Sequence, residues 1–152
     1  MTLTSDDPLL NQLLNAPRFR FADWPVAAVP KAAAGVYSIW DQAQLLYVGM
    51  SGRSADESTV QQKQRTDRPW GLTTRLASHA SGRRSGDQFC VYVADFLTLP
   101  ELTPEDIAAI ARREARFDDS IKRYIHNRMC FSFVETRSGA DAMGLEAVAR
   151  SG

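Results

Sequence analysis

The sequence predicts a small α+β domain in which a central, mostly antiparallel sheet of three to four strands is flanked by helices. Three observations support this fold class. The chain has 152 residues, which suits one compact domain. Short runs of β-branched and aromatic residues indicate strands, and apolar residues at helical spacing between them indicate helices. We divide the chain into a lead-in segment, residues 1–30, and one domain, residues 31–152.

The first part of the chain predicts a short helix and a hairpin. Four prolines make residues 1–30 an extended segment, with a helix around Leu9–Leu14. Val36–Trp40 and Leu45–Val48 are rich in β-branched, aromatic and aliphatic residues. We therefore expect two strands joined by a turn at Asp41–Gln44.

A polar stretch and a helix come next. Residues 51–69 are charged and short of apolar anchors, which predicts an inserted loop with some helix at Ser58–Arg65. Gly71–Ala80 is expected to form the first core helix, and Gly82 suits its end. The apolar residues that recur there at helical spacing are Leu72, Leu76 and Ala80.

The second half is predicted to contain two strands and two helices. Aromatic and β-branched residues favour a third strand at Phe89–Phe96 and a fourth at Met129–Val134. Thr103–Asp106 supplies a cap, a first-position proline and first-turn acids to one long helix. Its apolar stripe is expected in the core: Ile107, Ile110, Phe117, Ile121, Tyr124 and Ile125. Ser138 is a suitable cap for a last helix over residues 139–150.

Composition excludes several classes of protein. No stretch approaches the roughly 18 consecutive apolar residues of a membrane span, and the amino terminus is polar and acidic. We therefore expect a soluble, cytoplasmic protein with no membrane partner. Cys90 and Cys130 are the only cysteines, and both fall in predicted strands as small core residues, which argues against a disulfide or a zinc site. The sequence does not indicate an oligomeric state.

Charge is unevenly distributed although the net charge is zero. Between Arg53 and Arg84 there are seven basic and three acidic residues, whereas between Asp95 and Asp119 there are seven acidic and three basic ones. Arginine outnumbers lysine by 15 to 3, and its guanidinium fork suits bidentate contact with phosphate. The candidate nucleic-acid contacts are Arg53, Lys63, Arg65, Arg68, Arg83 and Arg84. An arginine excess also fits ordinary solvated faces.

Two tyrosines and one helix carry the candidate chemistry. Tyr37 follows Gly35 in the first strand of the hairpin, and Tyr47 precedes Gly49 in the second. Glycine inside a strand is unfavourable unless the backbone bends or comes close to another group. On the first core helix, Arg75 and His79 are four residues apart and share a face. Each of these residues alone also suits an ordinary structural role.

Together these residues resemble the core of the GIY-YIG endonuclease superfamily. The motifs are Gly35-Val36-Tyr37, then Tyr47-Val48-Gly49, then a helix containing Arg75 and His79, and finally Gly144-Leu145-Glu146-Ala147-Val148. The resemblance covers most of the chain, from about residue 34 to residue 150. It implies an active site made of Tyr37, Tyr47, Arg75, His79 and Glu146.

The resemblance implies hydrolysis of DNA phosphodiester bonds with one divalent ion, Mg²⁺ or Mn²⁺, held by Glu146. Glu114 and then Asp141 are the alternative ligands. Arg75 would stabilise charge on the phosphate, and Tyr37 would accept a proton from the attacking water. For that role the pKa of Tyr37 must fall by about three units from its ordinary value near 10. Otherwise His79 is the better base.

This sequence departs from the family pattern in several places. Only nine residues separate Tyr37 from Tyr47, so the hairpin turn should be tight. Met50 stands where some members have lysine, and the sequence ends at Gly152, before the position of the asparagine that follows the glutamate helix in many members. Arg53 or Lys63 could supply the cation.

Two other functions are compatible with the sequence. The first is a nucleic-acid-binding module with the same fold and no catalysis, which would need the basic segment and not Glu146. The second is a protein-interaction domain, for which we expect Trp24 and Trp70 to be exposed. Neither alternative requires a metal ion.

Overall fold

A computed structural model describes residues 8–144 of the chain. It confirms the α+β class: an antiparallel sheet carries helices on both faces. The helices are α1 (Pro8–Asn15), α2 (Glu57–Arg65), α3 (Leu72–Ser81), α4 (Gln88–Tyr92), α5 (Pro104–Ala111) and α6 (Phe117–Arg128). The strands are β1 (Phe19–Arg20), β2 (Ala32–Asp41), β3 (Gln44–Ser51), β4 (Trp70–Gly71) and β5 (Met129–Thr136). Residues 139–144 are also helical.

The sheet has five strands, against the three to four predicted, because the two-residue strands β1 and β4 also pair with it, and β2 lies at its centre. The strand order is β1-β5-β2-β3, with antiparallel pairing throughout, and the two residues of β4 pair in parallel with the start of β2. The hairpin turn between β2 and β3 has two residues, Gln42 and Ala43, and Gln42 is left-handed with φ 54°. This tight turn confirms the expectation from the spacing of the two tyrosines.

The two faces of β2 bury different clusters, because alternate residues of a strand point to opposite sides. Tyr37 and Ile39 face a core formed with α3, α4 and α6. Val36 faces α1 and the helical segment 139–144, where Leu10 and Ala142 are buried against it. The helices of the two faces therefore share one sheet. Within residues 8–144 no helix is long and apolar enough to cross a membrane.

The strand prediction at Phe89–Phe96 is wrong, since this segment is helical. Asp87 caps α4 by accepting a hydrogen bond from the Cys90 N–H, and a π-helix follows over Val93–Thr98. The buried residues recur at helical spacing: Phe89, Cys90, Val93 and Ala94. This periodicity outweighs the strand preference of the aromatic and β-branched residues, because burial of one face contributes more than intrinsic propensity. Cys90 is buried as expected, but in a helix.

The single long helix predicted after Thr103 is also wrong. The structure has two helices, α5 and α6, separated by a turn in which Arg113 is left-handed with φ 61°. The capping box between Thr103 and Asp106 is present as expected. Only the α6 half of the apolar stripe enters the core: Ile107 is 54% exposed, whereas Ile121 is fully buried.

Trp24 and Trp70, which we expected to be exposed, are both partly buried. Trp24 packs against the main core with its ring 5.8 Å from that of Phe131. Trp70 packs against a small cluster formed by Ala34, Ala55 and Val60. Among the residues that the structure describes, the exposed large apolar ones lie elsewhere: Tyr92, Phe96, Leu99, Ile107 and Met143.

Candidate active site

An open cavity of about 410 Å³ lies where the end of β3 meets the start of α3. Its lining residues are Tyr47, Met50, Ser51, Gly52, Arg53, Trp70, Gly71, Thr74 and Arg75. Two guanidinium groups, those of Arg53 and Arg75, contribute its charge, and its described lining contains no carboxylate. The amino-terminal end of α3 adds a partial positive charge there. The cavity therefore suits an anion.

Tyr37 lies behind this cavity, in the middle of β2, and has no exposed surface. Its ring packs 6.1 Å from that of Tyr47, which does line the cavity. Gly49 makes this arrangement possible: a Cβ at that position would overlap the Tyr37 hydroxyl and the Tyr47 ring. The close approach expected at Gly49 is thus present, and the atoms approached belong to the two motif tyrosines.

A chain of short hydrogen bonds continues from Tyr37 into the protein. The Tyr37 hydroxyl oxygen lies 2.8 Å from His79 Nε2, and His79 Nδ1 lies 2.7 Å from Asp87 Oδ2. All three side chains are buried, with His79 1% exposed and Asp87 fully buried. The imidazole is also held by ring contacts with Tyr47 and Phe89. A phenol, an imidazole and a carboxylate are therefore linked in one buried row.

Asp87 was not among the residues predicted from the sequence. Its carboxylate accepts hydrogen bonds from the Ser78 hydroxyl at 2.6 Å and from the Cys90 N–H at 3.1 Å, besides the contact with His79. Burial acts to raise the pKa of this carboxyl, but the hydrogen bonds outweigh it and lower the pKa to about 2. Asp87 is therefore ionised at neutral pH. The sequence signal was its position as a helix cap, which the strand prediction concealed.

The pKa of Tyr37 is raised, whereas a role as a base at neutral pH requires it to be lowered. Burial raises the pKa of the Tyr37 phenol, and the neighbouring Tyr47 raises it further, although Arg75 acts in the opposite direction. The phenol is therefore fully protonated at neutral pH. Tyr37 accepts a proton from water only if it gives up its own, and His79 Nε2 is the group in contact with it.

Arg75 connects the buried row with the cavity. Its guanidinium lines the cavity and interacts with the Tyr37 hydroxyl, and the residue is exposed. Tyr37, Tyr47, Arg75 and His79 therefore come together, as the resemblance implied. The fifth residue of that set, Glu146, lies outside the described residues.

The two alternative metal ligands lie outside the cavity lining. Glu114 follows α5 and forms an ion pair with Arg112 at 3.0 Å. Asp141 lies in the helical segment 139–144 and is exposed, and its N–H donates a capping hydrogen bond to the Ser138 hydroxyl oxygen. That segment starts beside the cavity rim, because Gly139 packs against the backbone oxygens of Gly52 and Arg53.

Within residues 8–144 the acidic, histidine and cysteine side chains form no group of three that could hold a metal ion. The cavity presents two cations and several hydroxyl groups, which are poor ligands for Mg²⁺ without a carboxylate. The described residues by themselves do not fit a divalent ion. The metal prediction therefore depends on Glu146.

The predicted nucleic-acid contacts fall into two groups. Arg53 lines the cavity. Lys63 and Arg65 lie on α2 and Arg68 lies in the turn after it, and all three are exposed in the segment between β3 and β4. Arg83 and Arg84 follow the other end of α3. Arg84 is bound to Asp118 at 2.7 Å and covers the Phe117 ring, so its charge is already partnered.

Comparison with known proteins yields no match to any family model, curated protein or solved structure. The geometry of the site therefore defines its class. That geometry combines an anion-binding cavity with a buried phenol–imidazole–carboxylate row, joined by one arginine.

Proposed function

We propose that this protein is a metal-dependent endonuclease of the GIY-YIG type that hydrolyses DNA phosphodiester bonds. One observation carries the proposal. The rings of Tyr37, Tyr47 and His79, which belong to β2, β3 and α3, contact one another beside a cationic cavity, and Arg75 lines that cavity and acts electrostatically on Tyr37. Helical spacing by itself brings together only Arg75 and His79, so their convergence with Tyr37 and Tyr47 supports the role that the motifs suggest.

The cavity would hold the phosphate of the bond to be cut. Arg75 and Arg53 would bind its oxygens, and the guanidinium of Arg75 would stabilise the charge that grows on them as water attacks. A divalent ion bound at Glu146 would stabilise the leaving oxygen. Phosphate binding and charge stabilisation would thus come from the exposed side of the site.

The proton of the attacking water would pass into the buried row. Tyr37 has no exposed surface, so water reaches its hydroxyl only when a covering side chain moves. Arg75 is exposed and acts electrostatically on that hydroxyl, so we take it as the side chain that would move aside and bind a phosphate. Tyr37 would then take the proton from water as it donates its own to His79 Nε2.

Cleavage of supercoiled plasmid and of branched or flapped oligonucleotides, with Mg²⁺ or Mn²⁺, tests the proposal. Arg75→Ala should lower the rate by about 100-fold or more, as is usual when a charge-stabilising donor is removed. Glu146→Gln should abolish metal-dependent cleavage. Arg20→Ala is the matched control, because β1 and β3 lie at opposite edges of the sheet and Arg20 pairs with Asp23.

Cleavage that survives Glu146→Gln would contradict the assignment of the metal ligand. Cleavage that is insensitive to a chelator would contradict the metal dependence itself. No cleavage by the unmodified chain would contradict the nuclease function.

One observation favours a second function, a nucleic-acid-binding module without catalysis. The described lining of the cavity carries two guanidinium groups and no carboxylate, which suffices to bind phosphate. DNA binding that weakens steeply with salt, in a chain that does not cleave, would establish this function.

A further inference from the structure

Asp87 lies outside the predicted motifs but contacts one of their residues, His79, from a buried position. Its carboxylate is fully buried, yet it lies 2.7 Å from His79 Nδ1 and accepts two further hydrogen bonds, from Ser78 and Cys90. A buried charge is costly unless it is fully hydrogen-bonded. The fold therefore maintains an ionised carboxylate directly behind the imidazole of the site.

The hydrogen-bonding capacity of each group gives the row a direction. An ionised carboxylate only accepts hydrogen bonds, so His79 Nδ1 must carry a hydrogen and donate it to Asp87. In a neutral imidazole the other nitrogen, Nε2, then has a free lone pair. The Tyr37 hydroxyl, 2.8 Å away, must be the donor of that second bond.

We propose that Asp87 is a positioning residue that holds His79 in the Nδ1–H tautomer, and so makes Nε2 the acceptor of the Tyr37 proton. The inference rests on the proposed nuclease function for its catalytic consequence. In the step concerned, the water oxygen forms a bond to phosphorus as the bond from phosphorus to the leaving oxygen breaks. Water gives a proton to the Tyr37 oxygen, and the Tyr37 proton moves to His79 Nε2. The Nδ1 proton stays in place, the imidazolium is stabilised by Asp87, and the leaving oxygen takes a proton from solvent.

Among the described residues, Asp87 is the one carboxylate next to the His79 ring that could stabilise an imidazolium. Tyr37 and Tyr47 face the ring from the sheet, and Arg75 lies one turn earlier on α3. Asp87, just before α4, contacts Nδ1 of the ring, and the Cys90 thiol donates to the His79 backbone oxygen. Burial raises the pKa of the Cys90 thiol to about 12, so Cys90 stays neutral. Asp87 is therefore the group that opposes the charge of an imidazolium at this position.

The tautomer is measured directly by ¹⁵N NMR of the imidazole rings in the unmodified chain. The protein has two histidines, so His126→Gln assigns the signals. We expect His79 Nδ1 to be protonated and Nε2 to be unprotonated near neutral pH. An Nε2–H tautomer would overturn the inference, and this measurement requires neither cleavage nor a variant of Asp87.

Asp87→Asn then tests the causal role. The asparagine oxygen still caps α4, but its NH₂ group faces His79 Nδ1 and favours the opposite tautomer. We expect His79 to change to Nε2–H and kcat to fall about 100-fold or more, with KM changed by no more than a few fold. The acidic limb of the pH–rate profile should also shift. Asp119→Asn, the same chemical change at an exposed position of α6, should alter none of these.

The outcomes separate this inference from the proposed function. An unchanged tautomer in a folded Asp87→Asn variant would overturn the inference, as would an unchanged kcat in a chain that cleaves DNA. If the unmodified chain does not cleave DNA, the proposed function fails. The tautomer change on Asp87→Asn would then still support Asp87 as the residue that orients His79.

Discussion

The two sides of Arg75 differ in almost every physical respect. On one side is the cavity, which is open and cationic, and whose charged side chains are exposed. On the other side is the row of Tyr37, His79 and Asp87, which is buried and joined by hydrogen bonds of 2.7–2.8 Å. The cavity offers charge to a ligand, whereas the row has no free surface.

This difference indicates how the site divides its work. Exposed guanidinium groups are free to adjust to a phosphate, and their interaction with it is weakened by salt. A buried hydrogen-bonded row is screened much less and has one arrangement, because each group depends on the next for its partner. Binding is therefore expected to respond to changes in the cavity, and proton transfer and stability to changes in the row.

The largest effect on stability is expected from Gly49→Ala, which adds a methyl group where the Tyr37 hydroxyl lies. Overpacking of a core typically costs about 1–3 kcal/mol. We expect a cost at the upper end of this range, because the two nearest atoms met belong to the fully buried Tyr37 side chain. Urea unfolding measures the loss. Gly144→Ala is the control, since a Cβ there meets nothing within 4 Å. Equal stability of Gly49→Ala and the unmodified chain would contradict the close approach.

The next largest effect is the loss of stability at low pH, when Asp87 becomes protonated. The folded-state pKa of Asp87, about 2, lies below its ordinary value of 3.8, so ionised Asp87 stabilises the folded chain. This contribution, about 2 kcal/mol, is complete above pH of about 4 and is lost as the pH falls towards 2. Urea unfolding between pH 2 and 5 should show a steeper decline for the unmodified chain than for Asp87→Asn. Parallel declines would show that Asp87 has no such pKa shift.

A smaller effect is expected from Ser78→Ala, which removes one of the three donors to Asp87. A hydrogen bond to a charged group contributes about 1.5 kcal/mol or slightly more, and the unfolding free energy should fall by that amount. The control is Ser85→Ala, at an exposed position before α4. The His79 tautomer should stay as in the unmodified chain, because Ser78→Ala leaves the carboxylate in place. A changed tautomer would contradict the assignment of that role to Asp87.

The smallest effect belongs to the cavity and depends on the proposed function. Arg53→Ala should weaken DNA binding severalfold and lower the salt dependence of the binding constant by about one phosphate contact. Arg84→Ala should change neither, because Arg84 is bound to Asp118 at the far end of α3. Fluorescence anisotropy at several salt concentrations compares them. If Arg84→Ala changed the salt dependence more than Arg53→Ala, the DNA-binding surface would lie at the far end of α3 and not at the cavity.

Local patterns in the sequence were sufficient for several elements. The hairpin of β2 and β3, the core helix α3 and the strand β5 were predicted, and so were the helical spacing of Arg75 and His79 and the capping box of α5. Each depends on residues that are close together in the chain. Periodicity and caps act over that range, so one sequence is enough to recognise them.

The errors occurred where local preferences conflict with burial. Residues 89–96 have the composition of a strand, yet one helical face of this segment is buried against α6 and α3. Residues 107–125 have one apolar stripe, yet the chain turns at Arg113, and α5 stays at the surface. In both places the choice depends on which neighbours are available to cover an apolar face, and those neighbours are distant in the sequence.

The sequence by itself therefore determined the sheet hairpin, the α+β class and four residues of the candidate site. Only the tertiary structure decided that Tyr37 is buried, that its pKa is raised, and that Asp87 stands behind His79. The physical reason is that desolvation and hydrogen-bond partners are properties of the packed chain. The sequence shows which chemical groups are present and how far apart they are along the chain. Packing decides whether those groups are charged or neutral and which of them are hydrogen-bonded to one another.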